Sequence, residues 1–174
     1  MNAGRSRAAR RVAPLLGASL LAGGCGTPSG SLSGATWLAA DGEVQRLQLE
    51  RHLRGFDVAM METGHRYVEL YWAGRDGNWE AAAYHAGKIR LAIENGLERR
   101  PKRAASARPF LAGPLAAVEQ AAAARDAAGF ASRFADLSAG CNACHAMEKV
   151  PFFEVRPPET RISPVHYEAG TARE

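Results

Sequence analysis

The chain has 174 residues, 47% hydrophobic and 23% charged, ordinary globular values that suggest one domain once the N-terminus is set aside. Its +4 formal charge comes from Arg5, Arg7, Arg10 and Arg11, which stand in a stretch before residue 25 that holds no acid and no Lys. Residues 25–174 are therefore formally neutral, which argues against nucleic acid as the main partner.

Residues 1–24 read as an export signal, with the four arginines as the charged region and Val12 to Ala22 as an apolar core too short to span a membrane. The adjacent Arg10 and Arg11 also resemble the pair used in twin-arginine export. Leu20-Leu21-Ala22-Gly23-Gly24-Cys25 resembles a bacterial lipobox, in which the Cys is lipidated and begins the mature chain. Ordinary cleavage near this point, with Cys25 lost or left free, is the alternative. Cysteine arithmetic favours the lipid: the other two of the three thiols, Cys141 and Cys144, form a closely spaced pair of their own, and Cys25 then has no disulfide partner. Residues 25–40 form a tether rich in Gly, Ser, Thr and Pro. The expected location is periplasmic, as a membrane-anchored lipoprotein of a bacterium.

Residues 41–147 carry helical patterning. Asp41 is a candidate N-cap for a long first helix whose stripe is Leu49, Leu53, Phe56, Met60, Tyr67 and Tyr71. Gly64 inside it costs about 1 kcal/mol relative to Ala and marks a place for a bend. Gly74 to Asn78 is a turn, and Asn78 caps a second helix from Trp79 to Leu97 that buries Trp79, Ala82, Ala86, Ile89, Ile93 and Leu97. So short a connection makes these two helices antiparallel neighbours. Glu98 to Gly113 reads as a basic link, with Pro101 and Pro109 interrupting any helix. Pro114 suits the first turn of a third helix with Leu115, Val118 and Ala122 on its face. Asp126 caps a fourth, whose stripe is Phe130, Phe134, Leu137, Cys141 and His145. The expected fold is all-α, an antiparallel up-down four-helix bundle with a Pro-rich tail over residues 148–174.

On that last stripe lies Cys141-Asn142-Ala143-Cys144-His145. Two thiols three positions apart share one side of a helix and can each add to a vinyl group of one porphyrin, while the adjacent imidazole ligates the iron. The pattern predicts one covalently attached haem c held by Cys141, Cys144 and His145. A zinc site would need a further ligand, and a thioredoxin-like redox pair a strand-to-helix setting.

Asp126, Phe130, Phe134, Leu137 and Ser138, continuing into Cys141, Cys144 and His145, resemble the last helix of the cytochrome c′ family. That resemblance implies four antiparallel helices carrying one haem near the C-terminus, and either electron transfer or binding of small gases. The chain departs from the family in a longer first helix and in the 29 residues that follow His145.

Helix rise puts the iron level with Phe56 and Met60 on the first helix. Met60 is the candidate sixth ligand, and His52 the runner-up; Phe56 would instead shield an open iron site. His65 and His85 fall off their helices' main faces and read as surface residues. Met61 points off the stripe, Met147 lies on the same side as His145, and His166 is in the tail. Arg99, Arg100, Lys102 and Arg103 form a positive patch, either a solvated loop or a dock for an acidic redox partner. Phe152 and Phe153 suggest that the tail packs across the lower end of the bundle and covers a haem edge.

Together these expectations describe a periplasmic electron-transfer protein, with a redox protein as partner and a monomer or a dimer both compatible. A five-coordinate binder of nitric oxide or carbon monoxide and a haem subunit of a larger oxidoreductase are the alternatives. No Ser-His-Asp, paired-carboxylate or phosphate-loop pattern points to independent catalysis.

Overall fold

Helices supply all the regular structure of residues 38–168, the part of the chain that the computed structural model describes, and no strand occurs among these residues. The export signal, Cys25 and most of the tether lie outside the described residues. None of the described helices is long and apolar enough to cross a membrane.

Six α-helices follow in order: α1 (Gly42–Leu53), α2 (Phe56–Arg75), α3 (Trp79–Arg99), α4 (Ala104–Phe110), α5 (Ala116–Ala123) and α6 (Ala127–Met147). The three caps read from the sequence are formed. The side chains of Asp41, Asn78 and Asp126 each accept a hydrogen bond of 2.9 Å from the backbone N–H three residues on.

Two boundaries differ from the sequence reading. The expected long first helix is broken at Arg54-Gly55, where Arg54 stands at φ 60°. The break is held locally: the Asp57 carboxylate accepts from the Gly55 N–H at 3.0 Å and also pairs with Arg54. In consequence α1 contributes no buried residue; Leu49 is half-buried and Leu53 is 57% exposed, so neither belongs to the core.

The expected basic link is helical instead. A 3-10 turn (Pro101–Arg103), α4, a π-turn (Leu111–Leu115) and α5 run end to end as one rod. Pro109 is tolerated on the exposed side of α4, and Pro114 falls inside the widened π-turn, where its missing N–H and bulky ring disrupt less.

The core forms where α2, α3, the α4–α5 rod and α6 meet. Leu70, Ile89, Leu115, Val118 and Leu137 are fully buried, each contributing about 1.5–3 kcal/mol by its removal from water. Two glycines permit close helix contact. A Cβ on Gly74 would stand 2.1 Å from the Phe130 ring of α6, and one on Gly96 would stand 2.8 Å from Ala59 of α2.

Residues 148–168 form no helix and are fastened to the body at both ends of their path. Near α6 the Asn142 carboxamide bonds both backbone groups of Val155. Far along, Arg161 pairs with Asp76 at 2.6 Å and lies over the Trp72 ring, and the Glu168 carbonyl accepts from Asn78. This segment thus extends from α6 to the α2–α3 turn rather than stopping at one end.

Between those anchors the segment buries His85, expected at the surface but only 7% exposed. The Tyr167 hydroxyl donates to Glu69 Oε2 at 2.5 Å and so has only its lone pairs left for His85 Nε2, 2.8 Å away. His85 is therefore the Nε2–H tautomer, and its buried Nδ1 has no hydrogen-bond partner among the described residues. Burial, with the Arg66 charge, lowers the His85 pKa.

Candidate functional site

Cys141, Cys144 and His145 occupy the last two turns of α6, on the stripe that buries Phe130, Phe134 and Leu137 further up. All three line one cavity of about 530 Å³, within the range of roughly 300–1,000 Å³ usual for ligand and cofactor sites. Phe56, Met60, Thr63, Gly64 and Tyr67 of α2 form another wall, with Ile93 of α3 and Ala107 and Phe110 of α4. Val150, Phe153 and Val155 complete it from the C-terminal segment.

The structure thus gathers Met60, half-buried, into the same cavity as the two thiols and His145. Met61 lies at its margin, 67% exposed. His52, on α1, and His65, His166 and Met147 do not line it.

The donors are prepared for a ligand in two ways. His145 Nδ1 stands 2.6 Å from the Phe153 carbonyl oxygen. A carbonyl only accepts, so Nδ1 carries the proton and Nε2 keeps its lone pair for a metal. Across the cavity, buried Thr63 Oγ1 lacks a hydrogen-bond partner among the described residues. Burial pushes the Cys141 thiol up to about 12 and also raises that of Cys144. Both therefore hold their protons at neutral pH, whereas a redox dithiol works through a lowered thiol pKa. The motif also sits at the end of a helix, and the element before that helix is α5 rather than the strand of the redox-pair setting.

One hydrogen-bonded pair shapes the inner wall. Ser138 Oγ donates to the Phe134 carbonyl at 2.9 Å, so the Tyr67 hydroxyl must be the donor in its 2.6 Å contact with Ser138. Burial pushes Tyr67 up to about 12, keeping it neutral beside the thiols. The rim, by contrast, is charged. Arg103 pairs with Glu148, which also meets the Ser106 hydroxyl. These two residues also line a neighbouring cleft walled by Arg99, Arg100, Pro101 and Lys102, so the positive patch adjoins the cavity.

No set of three or more His, Cys, Asp or Glu side chains among the described residues converges on a point fit for a bare metal ion. An extended planar group with its own ring donors fits better. The walls are almost wholly apolar, the thiols stand three positions apart, and one imidazole nitrogen is held free.

Sequence reasoning expected Phe153 near the site but missed the contributions of Thr63, Val150 and Val155. The signal for Val150 and Val155 was that same apolar pair, Phe152-Phe153, in an otherwise Pro-rich, polar segment. Comparison with family models, with curated proteins and with solved structures found no match to this chain.

Proposed function

We propose that the protein is a monohaem c-type cytochrome, with an antiparallel up-down four-helix bundle built from α2, α3, the α4–α5 rod and α6. The antiparallel reading is supported by Gly96, near the end of α3, lying against Phe56 and Ala59 at the start of α2. The observation that carries the functional reading is the convergence of Cys141, Cys144, His145 and Met60 on one apolar cavity.

In this reading Cys141 and Cys144 would hold haem c through thioether bonds, and His145 Nε2 and Met60 Sδ would be the side-chain donors to its iron. Bound there, the haem would supply reversible one-electron chemistry. The chain's own part is to bind, orient and exclude water. Phe56, Phe110 and Ile93 keep the site dry, the Phe153 carbonyl fixes the His145 tautomer, and neutral Tyr67 adds no charge. The resulting role is electron transfer with a partner protein in the periplasm, the chain being tethered through a lipid on Cys25 and catalysing no reaction of its own. The cationic cleft beside the cavity suits an acidic partner face.

A second reading, binding of nitric oxide or carbon monoxide at five-coordinate iron, draws on Phe56, whose side chain lines the cavity beside Met60. Met60→Ala separates the two. Electron transfer with Met60 as ligand predicts a low-spin oxidised spectrum that becomes high-spin in the variant. A wild-type spectrum that is already high-spin, with carbon monoxide binding equally in both proteins, would favour the gas binder.

A further inference from the structure

Within the spacing that defines the cysteine motif, Asn142 does something that the motif does not ask of it. Its side-chain Oδ1 accepts from the Val155 N–H at 2.7 Å, and its Nδ2 donates to the Val155 carbonyl at 2.9 Å. A carboxamide presents a donor and an acceptor side by side and so matches a residue's own N–H and C=O. Two residues before Val155, the Phe153 carbonyl accepts from His145 Nδ1 at 2.6 Å. The intervening chain is bound to α6 and to itself as well: the Val150 N–H meets the His145 carbonyl of α6 at 2.9 Å, and the Phe153 N–H meets the Val150 carbonyl at 3.1 Å. Residues 142 and 145 lie three apart on one helix, hence on one side of it. Two points of α6 therefore grip two points of the following segment.

We propose that Asn142 is a positioning residue for His145: by clamping Val155 it fixes the Phe153 carbonyl against Nδ1, and so sets the tautomer and ring orientation that leave Nε2 available to iron. The proposal rests on the haem reading of this site, but its structural half concerns the chain alone. Partners on the far nitrogen of a ligating histidine commonly set ring orientation and raise ligand basicity. Here that partner is a backbone carbonyl in a segment without regular structure, which needs an anchor. Arg161, some way along, anchors the same segment to Asp76 and Trp72 without touching this clamp.

The test uses full-length chain with Asn142→Ala, Asn142→Asp and Arg161→Ala. Asp keeps the shape but replaces the donor with a second acceptor facing the Val155 carbonyl. In chain made without haem, nitrogen NMR of His145 should report Nδ1–H in the wild type and in Arg161→Ala, and a tautomer mixture in both Asn142 variants. In haem-loaded chain, both Asn142 variants should have a reduction potential above that of the wild type, because a less basic imidazole stabilises oxidised iron less. Arg161→Ala should leave the potential where it was. The same tautomer in all four proteins, or equal potential shifts in Asn142→Ala and Arg161→Ala, would overturn the proposal. A colourless wild type would instead defeat the haem reading, leaving the NMR comparison to judge the clamp.

Discussion

The two ends of α6 carry the same apolar stripe and do opposite things with it. Near the α2–α3 turn, Phe130, Phe134 and Leu137 are 4%, 2% and 0% exposed. Their rings close on one another and on their neighbours: Phe134 lies 4.7 Å from Tyr67 and 5.1 Å from Tyr71, and Phe130 meets Trp79 edge-on at 5.7 Å. Two turns further on, Cys141, Cys144 and His145 continue the helix half-buried, and the walls stand apart round a cavity of about 530 Å³. An apolar stripe therefore says that a face turns inward, but not whether it meets protein or a cofactor. What distinguishes the cavity end is chemistry, namely thiols, a thioether and an imidazole where the other end has rings and Leu.

Large-to-small substitutions test that contrast most strongly. Phe134→Ala should destabilise the protein by about 3–5 kcal/mol in denaturant unfolding, the usual range for a fully buried ring. Phe56→Ala, at the cavity, should cost clearly less in chain without haem. Equal losses would break the distinction between the two ends.

The glycines of α2 offer a finer version. Gly74→Ala drives a methyl into the Phe130 ring and should cost about 1–3 kcal/mol. Gly64 lines the cavity, and a Cβ there meets nothing within 4 Å. Gly64→Ala should therefore be neutral or stabilise the helix by up to about 1 kcal/mol in the same assay.

The smallest effect concerns pH and the segment that joins the ends. Buried His85, facing Tyr167, Glu69, Arg66, His65 and Tyr84, titrates below its ordinary value of 6.5. The unfolded chain then binds that proton more readily, so the stabilisation is complete above 6.5 and declines as pH falls through the lowered folded value. Burial alone would raise Glu69, but hydrogen bonds from Ser163 and Tyr167 outweigh it and bring its pKa below the usual range, adding a loss of the same sign at lower pH. The melting temperature should drop between pH 7 and 5, and His85→Gln should flatten that drop. An unchanged slope in the variant would contradict the assignment.

Local signals were legible in the residues themselves. The Asp41, Asn78 and Asp126 caps, the Ala82, Ala86, Ile89 and Ile93 face, and the Phe130, Phe134 and Leu137 stripe all follow from side-chain type and helical spacing. What was not legible either carried no periodic pattern or depended on distant partners. The break at Arg54-Gly55 contains no proline, and the local bonds that hold it have no periodicity to announce them. The link from Glu98 to Gly113 reads as a loop by its Pro101 and Pro109, and the π-turn that carries it on into α5 has no sequence signature strong enough to predict. His85 is off its helix's apolar stripe and is buried by Tyr167, 82 residues later. The candidate site divides in the same way: the cysteine motif was evident, whereas Phe153 and Val155 enter through a segment that carries no helical or strand pattern.

The central claim is that a porphyrin is bonded to Cys141 and Cys144. Its most direct measurement is the absorption of full-length protein made with a bacterial haem-maturation system, before and after extraction with acidified organic solvent. The account predicts colour that stays with the polypeptide in the wild type and is extracted or absent in Cys141→Ser/Cys144→Ser. Colourless wild-type protein, or pigment that leaves it with the solvent, would contradict it.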